Sequence, residues 1–128
     1  MLRDRNSSAI VAVSDIARAR RFYGETLGLQ EGGSMEGEGV VAYRTGQTML
    51  TVYESEYAGT NQANAVTWDA GGELDAIVAD LKAKGVTFEN YGDMDGMTFS
   101  DGVYSSGDAK LAWFKDPDGN ILHLTQGM

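Results

Sequence analysis

Small and β-branched residues run together from Ser8 to Val13 and predict a first strand. Asp15 then stands as a helix N-cap. Ile16, Ala19, Phe22, Tyr23 and Leu27 follow at helical spacings, and Gly28 occupies the place of a left-handed C-terminal cap. Apolar segments near Leu29, around Val40 to Tyr43 and from Met49 to Tyr53 predict three strands. Glu31-Gly32-Gly33 and Thr45-Gly46-Gln47 supply turn material between them. The first half therefore reads as strand, helix and three strands.

The second half repeats that order. Ala65 to Ala70 alternates, with Val66, Trp68 and Ala70 on one face and Ala65, Thr67 and Asp69 on the other. Leu74, Ile77, Val78 and Leu81 form an i, i+3, i+4, i+7 stripe that ends at Gly85. Strands are expected at Val86 to Glu89, within Val103 to Phe114, and at Ile121 to Thr125. Before the last lies Asp116-Pro117-Asp118-Gly119-Asn120, where Pro117 presets φ and Gly119 tolerates positive φ. Equivalent points (Asp15 with Glu73, Gly28 with Gly85) lie about 57–58 positions apart. One helix and several strands in each half predict an α+β fold, helices packed on one face of a curved sheet. Two loops stand apart: polar Glu54 to Asn64, and Glu89 to Gly102, whose Tyr91, Met94, Met97 and Phe99 suit a lid, a dimer contact or an ordinary hairpin connection.

The length of 128 residues suits one domain. No apolar run approaches a membrane span, and the first residues lead directly into the strand without a signal-peptide core, so a cytoplasmic protein is expected. Cysteine is absent, which removes disulfides, thiolate metal sites and cysteine nucleophiles. The formal net charge of −9 argues against nucleic-acid binding and anionic membranes. It is compatible with a cationic or neutral ligand, but acidity kept for solubility is the simpler reading. No phosphate loop, nucleophile elbow or dinucleotide fingerprint is present. Asp93 to Gly96 and Asp116 to Asn120 lack the spacing and distant Glu of a calcium loop.

Two motifs carry a resemblance. Val13-Ser14-Asp15-Ile16 through Phe22-Tyr23, then Leu27-Gly28-Leu29, looks like the opening of vicinal oxygen chelate proteins, the glyoxalase, bleomycin-resistance and extradiol dioxygenase group. Phe114-Lys115-Asp116-Pro117-Asp118-Gly119-Asn120-Ile121 resembles the same family's closing signature. The resemblance spans roughly residues 7–126. It implies two βαβββ modules, about 7–54 and 64–126, forming a curved mixed β-sheet around a cleft with helices on the outer face. It also implies a homodimer.

Where the family carries out chemistry, a divalent metal is held by up to four side chains, normally His, Gln or Glu. Carried onto this chain, those positions are Ser8, Thr51, Ala65 and His123, with Asn64 replacing Ala65 under a one-residue shift. His123 is the only histidine, so two hydroxyls and one imidazole do not make a site for Zn²⁺, Ni²⁺, Fe²⁺ or Mn²⁺. The resemblance then implies a small-molecule binder similar in kind to antibiotic-sequestering proteins, with no cofactor. The alternatives are a metal-dependent lyase, isomerase or dioxygenase, and a non-catalytic interaction domain. Strand parity turns His123 away from Leu122 and Leu124 and toward a cleft with Thr125. Ser8, Thr51, Tyr53, Thr67, Asp69 and Trp113 are the expected companions of His123 around a bound ligand, whereas Trp68 is expected in the core.

Overall fold

The computed structural model describes residues 1–32 and 39–127. Among these, the chain divides into two compact units, Met1–Thr60 and Asn61–Met128, each with its own mixed sheet. No helix among the described residues is long and apolar enough to cross a membrane.

In the first unit a 3₁₀ turn (Leu2–Asp4) precedes strand β1 (Ala9–Val13). Helix α1 (Ile16–Ala19) continues in a wider π-helical segment, Arg20–Thr26. The Asp15 side chain caps it by accepting the Arg18 N–H at 3.1 Å, a bond that holds this carboxyl below the ordinary aspartate range. At the other end the Leu29 N–H donates to the Tyr23 carbonyl at 3.0 Å, and Gly28 sits at φ 73°. Strands β2 (Gln30–Glu31), β3 (Val40–Thr45) and β4 (Thr48–Glu54) complete the unit in the order β1-β4-β3-β2, with β1 and β4 parallel. Gly46 and Gln47 turn β3 into β4, as expected; Gly33, part of the other expected turn, lies outside the described residues. Tyr23, Tyr43, Leu50, Val11, Val13 and Val52 are fully buried and form this unit's core. Phe22, half-buried, meets the Tyr23 ring edge-on with centroids 5.2 Å apart.

The second unit repeats the plan with one strand more. Its elements are β5 (Asn64–Asp69), α2 (Leu74–Ala83), β6 (Thr98–Ser100), β7 (Val103–Ser106), β8 (Ala109–Lys115) and β9 (Ile121–Gln126). The sheet order is β5-β9-β8-β7-β6, with β5 and β9 parallel. The apolar stripe of α2 buries Leu74, Val78 and Leu81, and the helix packs on β8 and β9. Ala112, Phe114, Leu122 and Leu124 are the buried residues of those two strands on the α2 side. Removing one such large aliphatic side chain from water is worth about 1.5–3 kcal/mol. Glu73 stands at the N-cap position, but the α2 terminus is closed from a distance: the Leu74 N–H donates to Gln126 Oε1 at 3.1 Å.

The Asp116–Asn120 turn is tied by its first residue. Asp116, 4% exposed, accepts the backbone N–H groups of Asp118 and Asn120 on Oδ1 at 2.9 and 2.8 Å, and the Asn120 amide on Oδ2 at 2.8 Å. Gly119 takes φ 88°. The turn fixes the β8–β9 register, and with it the pairing of Trp113 with His123.

Several expectations need correction. The α+β class itself is borne out, with two mixed sheets of four and five strands among the described residues, and the corrections concern single segments. Val86 to Glu89 is not a strand: only Phe88 bridges to Phe114, because the Val86 N–H returns to the Leu81 carbonyl to close the helix end. Glu89 to Gly102 is not wholly loop, since Thr98–Ser100 pairs with β7 across an Asp101-Gly102 turn whose two residues have φ 52° and 89°. Val103 to Phe114 holds two strands rather than one. Trp68 is half-buried rather than a core residue.

Candidate functional site

The register of the second sheet sets one row of side chains on the face opposite α2. Thr67 on β5, His123 on β9 and Trp113 on β8 are directly paired neighbours, with Asp69, Thr125 and Leu111 two positions along. Tyr104 on β7 extends this second row, opposite Leu111. The pairing thus places His123, Thr67, Asp69 and Trp113 on one face, Trp113 being the member that the irregular alternation of Leu111 to Phe114 left unplaced in the sequence.

A bulge adjusts the near end. The β5–β9 register shifts between Asn64 and Val66, so Asn64, and not Ala65, pairs with Ile121. Asn64 Oδ1 accepts the indole N–H of Trp113 at 3.1 Å and pins that ring. The Trp113 and His123 rings lie nearly parallel, 15° apart with centroids at 4.3 Å. Tyr91 and Tyr104 meet Trp113 edge-on, with centroids at 5.6 and 5.7 Å. Phe99 lies against Tyr104 at 4.7 Å. The result is an aromatic cluster with one imidazole inside it. Tyr91 is its exposed member, at 47%; desolvation is the main cause that raises its phenol above the ordinary value, and the Glu89 charge adds to it.

His123 is buried, and Nδ1 lies 3.0 Å from the Ala112 carbonyl. A carbonyl only accepts, so Nδ1 carries the proton, and in the neutral ring Nε2 keeps its lone pair. Burial pushes the imidazole below its ordinary pKa, while the Ala112 bond works weakly the other way. The ring is therefore a neutral, positioned acceptor near pH 7.

Thr67 and Asp69 are exposed; Asp69 Oδ1 already accepts the Gly71 N–H at 2.9 Å in the turn toward α2. In the first unit, Thr51 and Tyr53 are half-buried on β4, paired across β1 with Ile10 and Ala12. Ser8 lies just before β1 and is exposed. Each sheet thus gathers its own share of the expected residues. Tyr104, on β7, was not singled out from the sequence.

On the α2 side, a shallow groove of about 460 Å³ runs between α2 and the β6–β7 hairpin, lined by residues that include Lys82, Lys110, Asp75 and Asp101. Lys110 pairs with Asp75, and Lys82 donates to the Asp101 carbonyl, so both ammonium groups already have partners.

The positions that would hold a divalent metal offer Ser8, Thr51, Ala65 or Asn64, and His123. Hydroxyl, methyl or amide, and one imidazole do not form a donor set for a transition metal, which needs several imidazole, carboxylate or thiolate ligands. Among the described residues no group of three or more His, Cys, Asp or Glu side chains comes together to hold an ion.

Comparison with known proteins now identifies the lineage. The family model described as "Glyoxalase/Bleomycin resistance protein/Dioxygenase superfamily" matches residues 7–124, and the chain belongs to that superfamily. Among solved structures, the fold is similar to a fosfomycin resistance protein, FosX, from Listeria monocytogenes (TM-score 0.69, 15% identity, covering 97% of this chain and 93% of that one). It is also similar to a lactoylglutathione lyase from Agrobacterium tumefaciens (TM-score 0.65, 17% identity, 96% and 93% covered). An integron cassette protein from the mobile metagenome of the Halifax Harbour sewage outfall gives a TM-score of 0.68 at 18% identity, with 93% and 95% covered. No curated protein matches the chain. At these identities the likeness concerns the fold, and fold alone does not decide function.

Proposed function

We propose that this chain is a small-molecule-binding member of its superfamily that works without a resident metal, sequestering an antibiotic or a metabolite. The observation that carries the reading is the Trp113–His123 stack with Tyr91 edge-on and half-exposed beside it. Indole and phenol rings offer apolar area to a flat ligand, and their faces attract a cation by about 0.5–2 kcal/mol. The net charge of −9 favours a cationic ligand over an anionic one. Asp69 and Thr67 supply charge and hydroxyl on the same face, and His123 Nε2 supplies an acceptor for a ligand N–H or O–H. Sequestration needs no proton transfer or bond change; burial and hydrogen bonds suffice. A homodimer in the cytoplasm completes the proposal.

A metal-dependent lyase, isomerase or dioxygenase is the second reading, favoured by one observation. The His123 Nδ1–H bond to a backbone carbonyl is the support that metal-binding histidines commonly have. The test is isothermal titration calorimetry with tetramethylammonium, planar aromatic cations and matched anions as probes. Saturable binding of an aromatic cation that is lost in Trp113→Leu is the expected result. No saturation by any probe, or saturation unchanged in Trp113→Leu, would overturn the reading.

A further inference from the structure

The segment that carries Tyr91 leaves the Phe88 bridge and is not part of the sheet, yet it holds one ring in a defined place against Trp113. Glu89 ties its start to β8, its N–H donating to the Trp113 carbonyl at 2.8 Å, and beyond that point the anchor is a hydroxyl from another strand. Tyr104, 1% exposed on β7, accepts the Tyr91 backbone N–H at 2.8 Å. The same hydroxyl lies 2.9 Å from the Gly92 carbonyl and 3.2 Å from Asn90 Oδ1. A phenol has one proton, and the carbonyl is the nearer acceptor, so Tyr104 donates to Gly92 while accepting from Tyr91. Asn90 Oδ1 takes the Gly92 N–H at 2.9 Å and folds the segment into a turn around the hydroxyl. The Tyr104 ring itself meets Trp113 edge-on. One side chain therefore touches both halves of the pair that Tyr91 and Trp113 make.

We infer that Tyr104 is a positioning residue of the aromatic site. Its hydroxyl latches Asn90 to Gly92 so that Tyr91 stands beside Trp113, and its ring backs the indole. Without the hydroxyl the Tyr91 N–H and the Gly92 carbonyl lose their partners, and the segment trades its protein bonds for water. The Tyr91 ring then samples positions away from Trp113, and a ligand must order it at the moment of binding. This role rests on the binding reading above only for its effect on affinity; the latch itself is a property of the free protein.

The test is Tyr104→Phe, which keeps the ring and removes one oxygen, with Tyr104→Leu as the variant that removes both. Amide hydrogen exchange at Tyr91 and the NMR resonance of the Trp113 indole N–H are measured without ligand, and affinity for an aromatic cation is measured afterwards. In Tyr104→Phe the Tyr91 amide should exchange about tenfold faster or more, as loss of one buried hydrogen bond implies. The Trp113 indole resonance should shift, while amides of α2 keep their protection. A Tyr91 amide and a Trp113 resonance that match the parent protein would overturn the proposal. So would a uniform loss of protection across both sheets, which marks a merely structural role. If the wild-type protein binds no probe while both signals respond to Tyr104→Phe, the latch stands and the binding reading falls.

Discussion

Replacing Asp116 with Ala removes the tie of the turn that sets His123 opposite Trp113. Asp116 is 4% exposed, and its carboxylate accepts three hydrogen bonds, from the Asp118 and Asn120 backbones and the Asn120 amide. Bonds to a charged acceptor are worth about 1.5–3 kcal/mol each, and three on one group do not add fully, so a loss of about 3–5 kcal/mol is expected. That is a large part of the roughly 5–15 kcal/mol that holds a typical domain together. With about 2.1 cal/mol/K of unfolding entropy per residue over 128 residues, it lowers Tm by about 11–19 °C. Asp116→Asn keeps an acceptor for the two backbone N–H groups and should lose roughly half as much. Urea unfolding of the three proteins, read by far-UV circular dichroism, measures the differences at constant m. A loss below about 1 kcal/mol in Asp116→Ala would refute the reasoning, because the turn's backbone hydrogen bonds, with Pro117 and Gly119, would then suffice to hold it.

Three further outcomes follow from the same structure. The His123 imidazole has a folded pKa lowered by burial from 6.5. The unfolded chain therefore takes up the proton first, so this contribution is complete above that value and declines as pH falls through it; urea midpoints of wild type should drop relative to His123→Phe between roughly pH 7 and pH 5, and parallel curves would contradict the shift. Gly102→Ala forces a side chain to φ 89° with its Cβ 2.7 Å from that of Phe88; a loss of about 1–3 kcal/mol is expected by thermal unfolding, and a neutral result would mean that Phe88 moves freely. Gln126→Ala leaves the Leu74 N–H at the start of α2 without its acceptor, which should cost about 1 kcal/mol and speed exchange of that amide in particular.

What could be read from the sequence was what depends on near neighbours along the chain. The Asp15 cap, the α2 stripe and the Asp116–Asn120 turn are each decided within a few residues, and each is present. The strand parity that turns His123 away from Leu122 and Leu124 is equally local. The rest depends on pairing across long separations. The Trp113 N–H finds Asn64 49 residues away, the Tyr104 hydroxyl finds Tyr91, and Gln126 caps a helix 52 residues earlier. No period along the chain encodes those meetings. The bulge at Ala65 belongs to the same class, since the register of a parallel strand follows from its partner β9 rather than from its own alternation. Val86 to Glu89 misled for a related reason: its composition suits a strand, but the helix end takes its first donor.

The chain has its superfamily's fold, and the proposal that it works without a resident metal is tested most directly by elemental analysis. Purified, untagged protein is incubated with Zn²⁺, Ni²⁺, Fe²⁺ and Mn²⁺, desalted, and assayed by mass spectrometry beside His123→Ala. The account predicts that both proteins retain only background metal. Retention of roughly one ion per chain, lost in His123→Ala, would contradict it and make His123 a ligand of a real centre.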